Sequence, residues 1–211
     1  MRAISKSALL AAVFLAFFAS EATAIYTPNP AARWEANRFF VAGDFQYNWD
    51  KDLDPRGQLD DEVGLFVRPS YALARNMVIY GRLGFQDADG LDTGFAIGGG
   101  FQAAWVLPQA PEWALGGSFD YLFWDAEAGS SDIDYHELQV APAVSYNIPQ
   151  AREITPYAGF ALDFLAGDLE EDDPFGLFFG SNFDVSDRVR LDAQLRVIHE
   201  EGIFFSAGYL F

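Results

Sequence analysis

His136 and His199 are the only imidazoles in the chain, so acid–base chemistry near neutral pH would run through them or through paired carboxylates. Each histidine is followed by an acid: Glu137 after the first, Glu200 and Glu201 after the second. Hydrolysis needs a nucleophile beside a positioned base. The nearest serines are Ser130, Ser131 and Ser206, and neither histidine has a serine two residues further on. Two solvated histidines are therefore expected, with no catalytic residue and no enzymatic activity. There is no cysteine, which removes thiolate metal sites and disulfides together. The acidic run "DLEEDDP" offers carboxylate oxygens from Asp168, Glu170, Glu171, Asp172 and Asp173 to a divalent cation. It lacks the spaced Asp/Asn/Gly pattern of a calcium loop, so solvated surface charge is the plainer expectation. "AIGGGF" (96–101) sits inside an alternating run and does not form a phosphate-cradling turn. No cofactor or resident metal is expected.

These residues are carried by a chain with a period of two. In "FFVAGDFQYNW", Phe39, Val41, Gly43, Phe45, Tyr47 and Trp49 fall on one face, and Ala42, Asp44, Gln46 and Asn48 on the other. Such alternation marks strands, not helices. It recurs around Leu65, Leu83, Phe101, Phe119, Val140, Phe160, Phe179, Leu195 and Phe205, making ten candidate strands; an eight-stranded count demotes two of the weaker runs. A strand of about ten residues tilted by about 40° rises about 25 Å, the height of an outer-membrane apolar band. Pro69, Pro142 and Pro156 fall within or at the ends of strands, where bulges are expected to absorb the missing N–H.

The two ends of the sequence set its address. Arg2 and Lys6, the apolar run "ALLAAVFLAFF" and the small residues of "ATA" (22–24) read as a signal peptide over residues 1–24. Residues 25–35 read as an irregular Pro/Asn-rich segment, either loose or folded into the interior as a plug, and 36–211 as the barrel. The full sequence carries a net charge of −18, which excludes a nucleic-acid footprint. Gaps after even strands are short: 75–77, 107–112, 149–153 and 186–188. Gaps after odd strands (50–62, 87–92, 125–134, 167–174, 199–202) hold 20 acidic residues, against Glu112, Glu153 and Asp187 in the others. Short turns at one end and acidic loops at the other are a barrel pattern.

The final strand ends on Tyr209 and Phe211, which matches the alternating, aromatic-terminated assembly signal of outer-membrane barrels; Ser206 stands where glycine is usual. Over nearly its whole mature length the chain resembles the small OmpA/OmpW-type outer-membrane β-barrels. That resemblance implies a transmembrane antiparallel up-and-down barrel in a Gram-negative outer membrane. The partners it implies are membrane lipid and the barrel-assembly machinery during insertion. The outer-membrane lipid A deacylases carry a His-x-Ser pair, which is missing here. Inward positions hold Asp44, Arg68, Arg82, Asp120, Glu137, Asp163, Asp184, Arg190, Asp192 and Arg196. Paired with one another they would fill the lumen; left in water they would form a charged constriction. The expectation is a structural or surface-interaction barrel with acidic external loops, where divalent cations are candidate partners. A narrow ion or small-solute pore is the alternative. A lipid-modifying enzyme comes third and would have to work through His136 or His199.

Overall fold

The computed structural model describes residues 29–32, 34–54, 57–88, 92–128, 131–167, 170–171, 175–198 and 200–211. Its strands are β1 (Phe39–Asp54), β2 (Gly57–Ala74), β3 (Met77–Asp87), β4 (Gly94–Leu107), β5 (Ala110–Ala128), β6 (Ser131–Tyr146) and β7 (Ile154–Gly167). They continue with the two-residue β8 (Glu170–Glu171), then β9 (Phe175–Asp184), β10 (Val189–Val197) and β11 (Glu200–Leu210). Leaving β8 aside, ten strands pair antiparallel in sequence order, and β11 returns to pair with β1, from Phe40↔Leu210 to Lys51↔Glu200. The sheet is thus a closed ten-stranded up-and-down barrel, with no free edge.

Alternation decides which side chains face in. Along β3 exposed and buried residues alternate, with Ile79, Leu83 and Phe85 outside and Val78, Tyr80, Arg82 and Gln86 inside. The outer wall presents large apolar residues all round, Leu65 at 59% exposure and Trp105 at 59% among them. In a water-soluble protein so wide an apolar surface would be an unmet liability, whereas a bilayer covers it. Closure also satisfies the backbone, which lipid cannot do for an open sheet.

Phe211 belongs to the closing seam. Its N–H bonds Phe39 O at 2.9 Å, and its ring lies 5.9 Å from Phe39 and 5.0 Å from Tyr209. Trp113 and Tyr146, 4.7 Å apart, extend the aromatic band at the same end of the barrel.

Three expectations need correcting. Trp49, expected to be exposed on the outer face, is 4% exposed: beside the β1–β11 register shift between Asn48 and Asp50, its ring packs 5.8 Å from that of Tyr47. The prolines cause no bulge. The β2–β3 register is the same on both sides of Pro69, with pairing lapsing between Val67↔Leu83 and Ser70↔Tyr80. The β6–β7 ladder likewise skips from Val140↔Leu162 to Ala143↔Gly159 around Pro142, and Pro156 pairs in register with Ser181. One or two absent bonds cost less than an inserted residue, which would rotate every later side chain to the wrong face. Finally, much of 50–62 and 125–134 is strand, not loop: β1 pairs β2 out to Leu53↔Gly57, and β5 pairs β6 out to Ala128↔Ser131.

Candidate functional site

The inward face brings the charges of neighbouring strands within reach of one another. At the β1–β2–β11 seam, Arg68 donates to both oxygens of Asp44, Nε to Oδ2 at 2.6 Å and Nη2 to Oδ1 at 3.1 Å. Ser206 Oγ donates to Asp44 Oδ1 at 2.6 Å and accepts from Arg68 Nη2 at 3.2 Å. The two charged side chains are 2% and 1% exposed. The Arg68 guanidinium also lies 5.6 Å from the centre of the Tyr80 ring, whose hydroxyl donates to Asp120. Arg82 lies 5.6 Å from the Phe66 ring centre. A bidentate pair with a third polar contact is the arrangement that lets buried charges exist in a low-dielectric interior.

Across the lumen a second network forms. Arg196 pairs with Asp163, which also accepts from Gln139 Nε2 at 2.6 Å. Tyr157 donates to Asp192 at 2.8 Å and reaches Gln194 at 3.1 Å, while Asn182 donates to Asp192. Glu137 is buried at 2% exposure. Arg190 and Asp184 pair at 2.7 Å nearer the end that carries the termini, where they are half-open to solvent. Phe66, Phe178 and Phe204 fill the space between these layers and are buried.

The terminal end is closed by the chain itself. Asn29 to Ala32 enter the lumen, with Asn29 and Ala31 fully buried. Asn29 Nδ2 donates to Asn182 Oδ1 at 2.5 Å, and Ser145 Oγ donates to Ala31 O at 3.1 Å. Gly116 admits this backbone: a Cβ there would stand 2.4 Å from Pro30 O and 2.7 Å from Ala31 Cα. Trp34 closes over the insertion, its ring 5.2 Å from the Arg190 guanidinium carbon and 5.5 Å from Phe40. The cavity left between Asn29, Trp34, Arg68 and Asp192 measures about 10 Å³, room for at most one water. A far larger hollow, about 1370 Å³, lies on the outside, where Gly43, Ala193 and Ala207 sit among Phe45, Phe85 and Phe205.

At the opposite mouth, β8 crosses from the β7–β9 connection to pair with the extension of β1, Leu53↔Glu171 and Asp54↔Glu170. This segment is part of the acidic run read as a candidate cation site. Asp168, Asp172 and Asp173 lie outside the described residues, and Glu170 and Glu171 are placed by their backbone alone. Among the described residues, no group of three or more His, Cys, Asp or Glu is arranged to hold a metal ion.

The two histidines fare differently. His136 is on the outer wall, sharing a 2.6 Å hydrogen bond through Nδ1 with the Tyr121 hydroxyl. Its Nε2 stands 3.8 Å from Asp134, and the Phe123 ring lies 5.1 Å away. His199 and Ser130 lie outside the described residues, whereas Ser206 belongs to the Asp44–Arg68 seam inside the barrel.

Neither a protein-family model nor a curated protein matches the chain. Solved structures do. The β domain of the Bordetella autotransporter Brka aligns with a TM-score of 0.50 at 13% identity, over 84% of this chain and 99% of that one. The translocator domain of the autotransporter NalP from Neisseria meningitidis gives 0.47 at 10% identity, over 84% and 89%. An outer-membrane channel from Pseudomonas putida F1 gives 0.46 at 9%, over 88% and 100%. The closed ten-stranded sheet and the match to the Brka β domain give the chain the fold of the outer-membrane β-barrels.

Proposed function

We propose that this protein resides in a bacterial outer membrane as a structural or surface-interaction barrel without an open pore. The acidic hairpins and β8 face outward and the termini face the periplasm. The observation that carries this reading is the occupied lumen, in which paired charges, buried aromatics and the 29–32 segment pack together and the cavity beside Asn29 and Trp34 holds only about 10 Å³. The signal sequence and the apolar outer wall support the location. We group it with the small barrels of the OmpA/OmpW type, and assign it no catalysis. Its partners are lipid along the wall and the assembly machinery that reads the Tyr209–Phe211 ending. Proteoliposome swelling tests the reading: the mature protein, with insertion verified by protease protection, is expected to admit small sugars no faster than empty liposomes. Swelling at a porin-like rate overturns it.

A narrow pore is the second reading, favoured by one observation. The terminal end is closed by a chain segment and not by the barrel wall, so removing residues 25–34 would then produce flux that the intact protein lacks.

A further inference from the structure

In the far half of the lumen, four side chains from three adjacent strands converge: Gln46 and Asn48 of β1, Glu62 of β2 and Gln86 of β3. The register puts Asn48 opposite Glu62, and Gln46 opposite Gly64, which in turn faces Gln86. Gly64 leaves the space they need, because a Cβ there would stand 2.5 Å from Gln46 Cγ and 2.8 Å from its Cδ. All four are buried, at 0–2% exposure.

Their hydrogen bonding is lopsided. Gln46 Nε2 at 3.0 Å, Asn48 Nδ2 at 3.2 Å and Gln86 Nε2 all aim at the same atom, Glu62 Oε1. One carboxylate oxygen has about two lone-pair sites for these three donors. Meanwhile the amide oxygens of Gln46 and Asn48, good acceptors, are buried with no donor in reach. Turning the carboxamides over by 180° exchanges nitrogen for oxygen within the same envelope. Each turned amide oxygen would then face Glu62 Oε1 from where its nitrogen now stands, giving one side of an oxygen cage for a hard cation held at about 2.4 Å.

We propose that Gln46, Asn48, Glu62 and Gln86 form a calcium-sized cation site inside the barrel, with the carboxamides turned oxygen-inward around the Glu62 carboxylate. The ion supplies the positive partner that the two amide oxygens lack and separates the oxygens that would otherwise repel. Magnesium fits less well, because it demands a strict octahedron and holds its waters tightly. A single carboxylate places the affinity at the weak end of calcium sites, about 10⁻⁴ to 10⁻³ M. The acid-rich hairpins at that mouth raise the local cation concentration and favour entry.

The test uses the refolded mature protein in detergent, stripped with chelator and titrated with Ca²⁺ by calorimetry. Tb³⁺ serves as a second probe, its emission sensitised by Trp49, the residue next to Asn48. The exterior acids would also attract cations, so Asp125→Asn with Asp134→Asn is the control. One site is expected, weakened at least tenfold by Glu62→Gln and by Asn48→Ala and unchanged in the control. Asn48→Ala and Gln86→Leu leave the carboxylate in place and give the same reading if Glu62→Gln does not fold. Binding that is absent, or that survives these variants and falls in the control, overturns the site and leaves a plain amide–carboxylate cluster.

Discussion

Replacing Asp44 with alanine removes the carboxylate that Arg68 holds in a bidentate grip while leaving the guanidinium 2% exposed. In a dry interior, breaking a buried ion pair from one side costs about 3–5 kcal/mol, because the guanidinium loses its bidentate counter-charge and stays desolvated. Ser206 and the Tyr80 ring stay beside Arg68, but neither carries a compensating charge. The paired change Asp44→Leu with Arg68→Met removes both charges at similar volume, and such replacements are often neutral or stabilising. The double variant is therefore expected to be more stable than Asp44→Ala by several kcal/mol. Urea unfolding of the protein in lipid vesicles, followed by tryptophan fluorescence and by the mobility of unboiled samples on SDS gels, measures all three. The reasoning fails if Asp44→Ala costs less than about 1 kcal/mol, the figure for a solvated surface pair. That result would mean that water reaches the seam and that the lumen is wet.

Other perturbations test other parts of the fold. Gly116→Leu should expel the 29–32 segment, since even its Cβ meets Pro30 O at 2.4 Å; maleimide labelling of a cysteine introduced at Ala31 should then rise from negligible to complete. Leu83→Arg puts a charge on the lipid-facing wall and should cost about 2–4 kcal/mol near the bilayer midplane, read by the same urea assay. Ile198 holds a φ of 73°, poor ground for a β-branched side chain, so Ile198→Asn should stabilise the barrel by about 1 kcal/mol. Phe211→Ser removes the ring that packs on Phe39 and Tyr209 and should lower the folded, heat-modifiable fraction in the outer membrane.

Period-two alternation made the barrel legible because one face of every strand meets a different medium from the other. Strand number and closure followed from counting those runs and from the segregation of acidic gaps. Strand ends were less legible: Asp60 and Asp134 look like loop residues in composition, yet they pair across hairpins that rise beyond the apolar band, where water suits both faces. The burial of Trp49 was not legible, because a single register shift cannot be read from hydropathy. The plug was half legible: the Pro/Asn-rich composition of residues 25–35 suited a loose segment as well as one folded inside. Its trace was present in the small inward residues Ala114, Gly116, Ala141 and Ala143, which together cannot fill a lumen, so that something else had to. The partners of individual charges depend on strand stagger, and pairs such as Arg196 with Asp163 could not be read from spacing alone.

The central proposal is that the barrel has no open pore. Single-channel recording of the refolded mature protein in a planar bilayer, at two salt concentrations and with insertion confirmed independently, tests it most directly. The account predicts a silent bilayer at both concentrations. Steady, discrete conductance steps that scale with salt would contradict it and make the inward charges the lining of a pore.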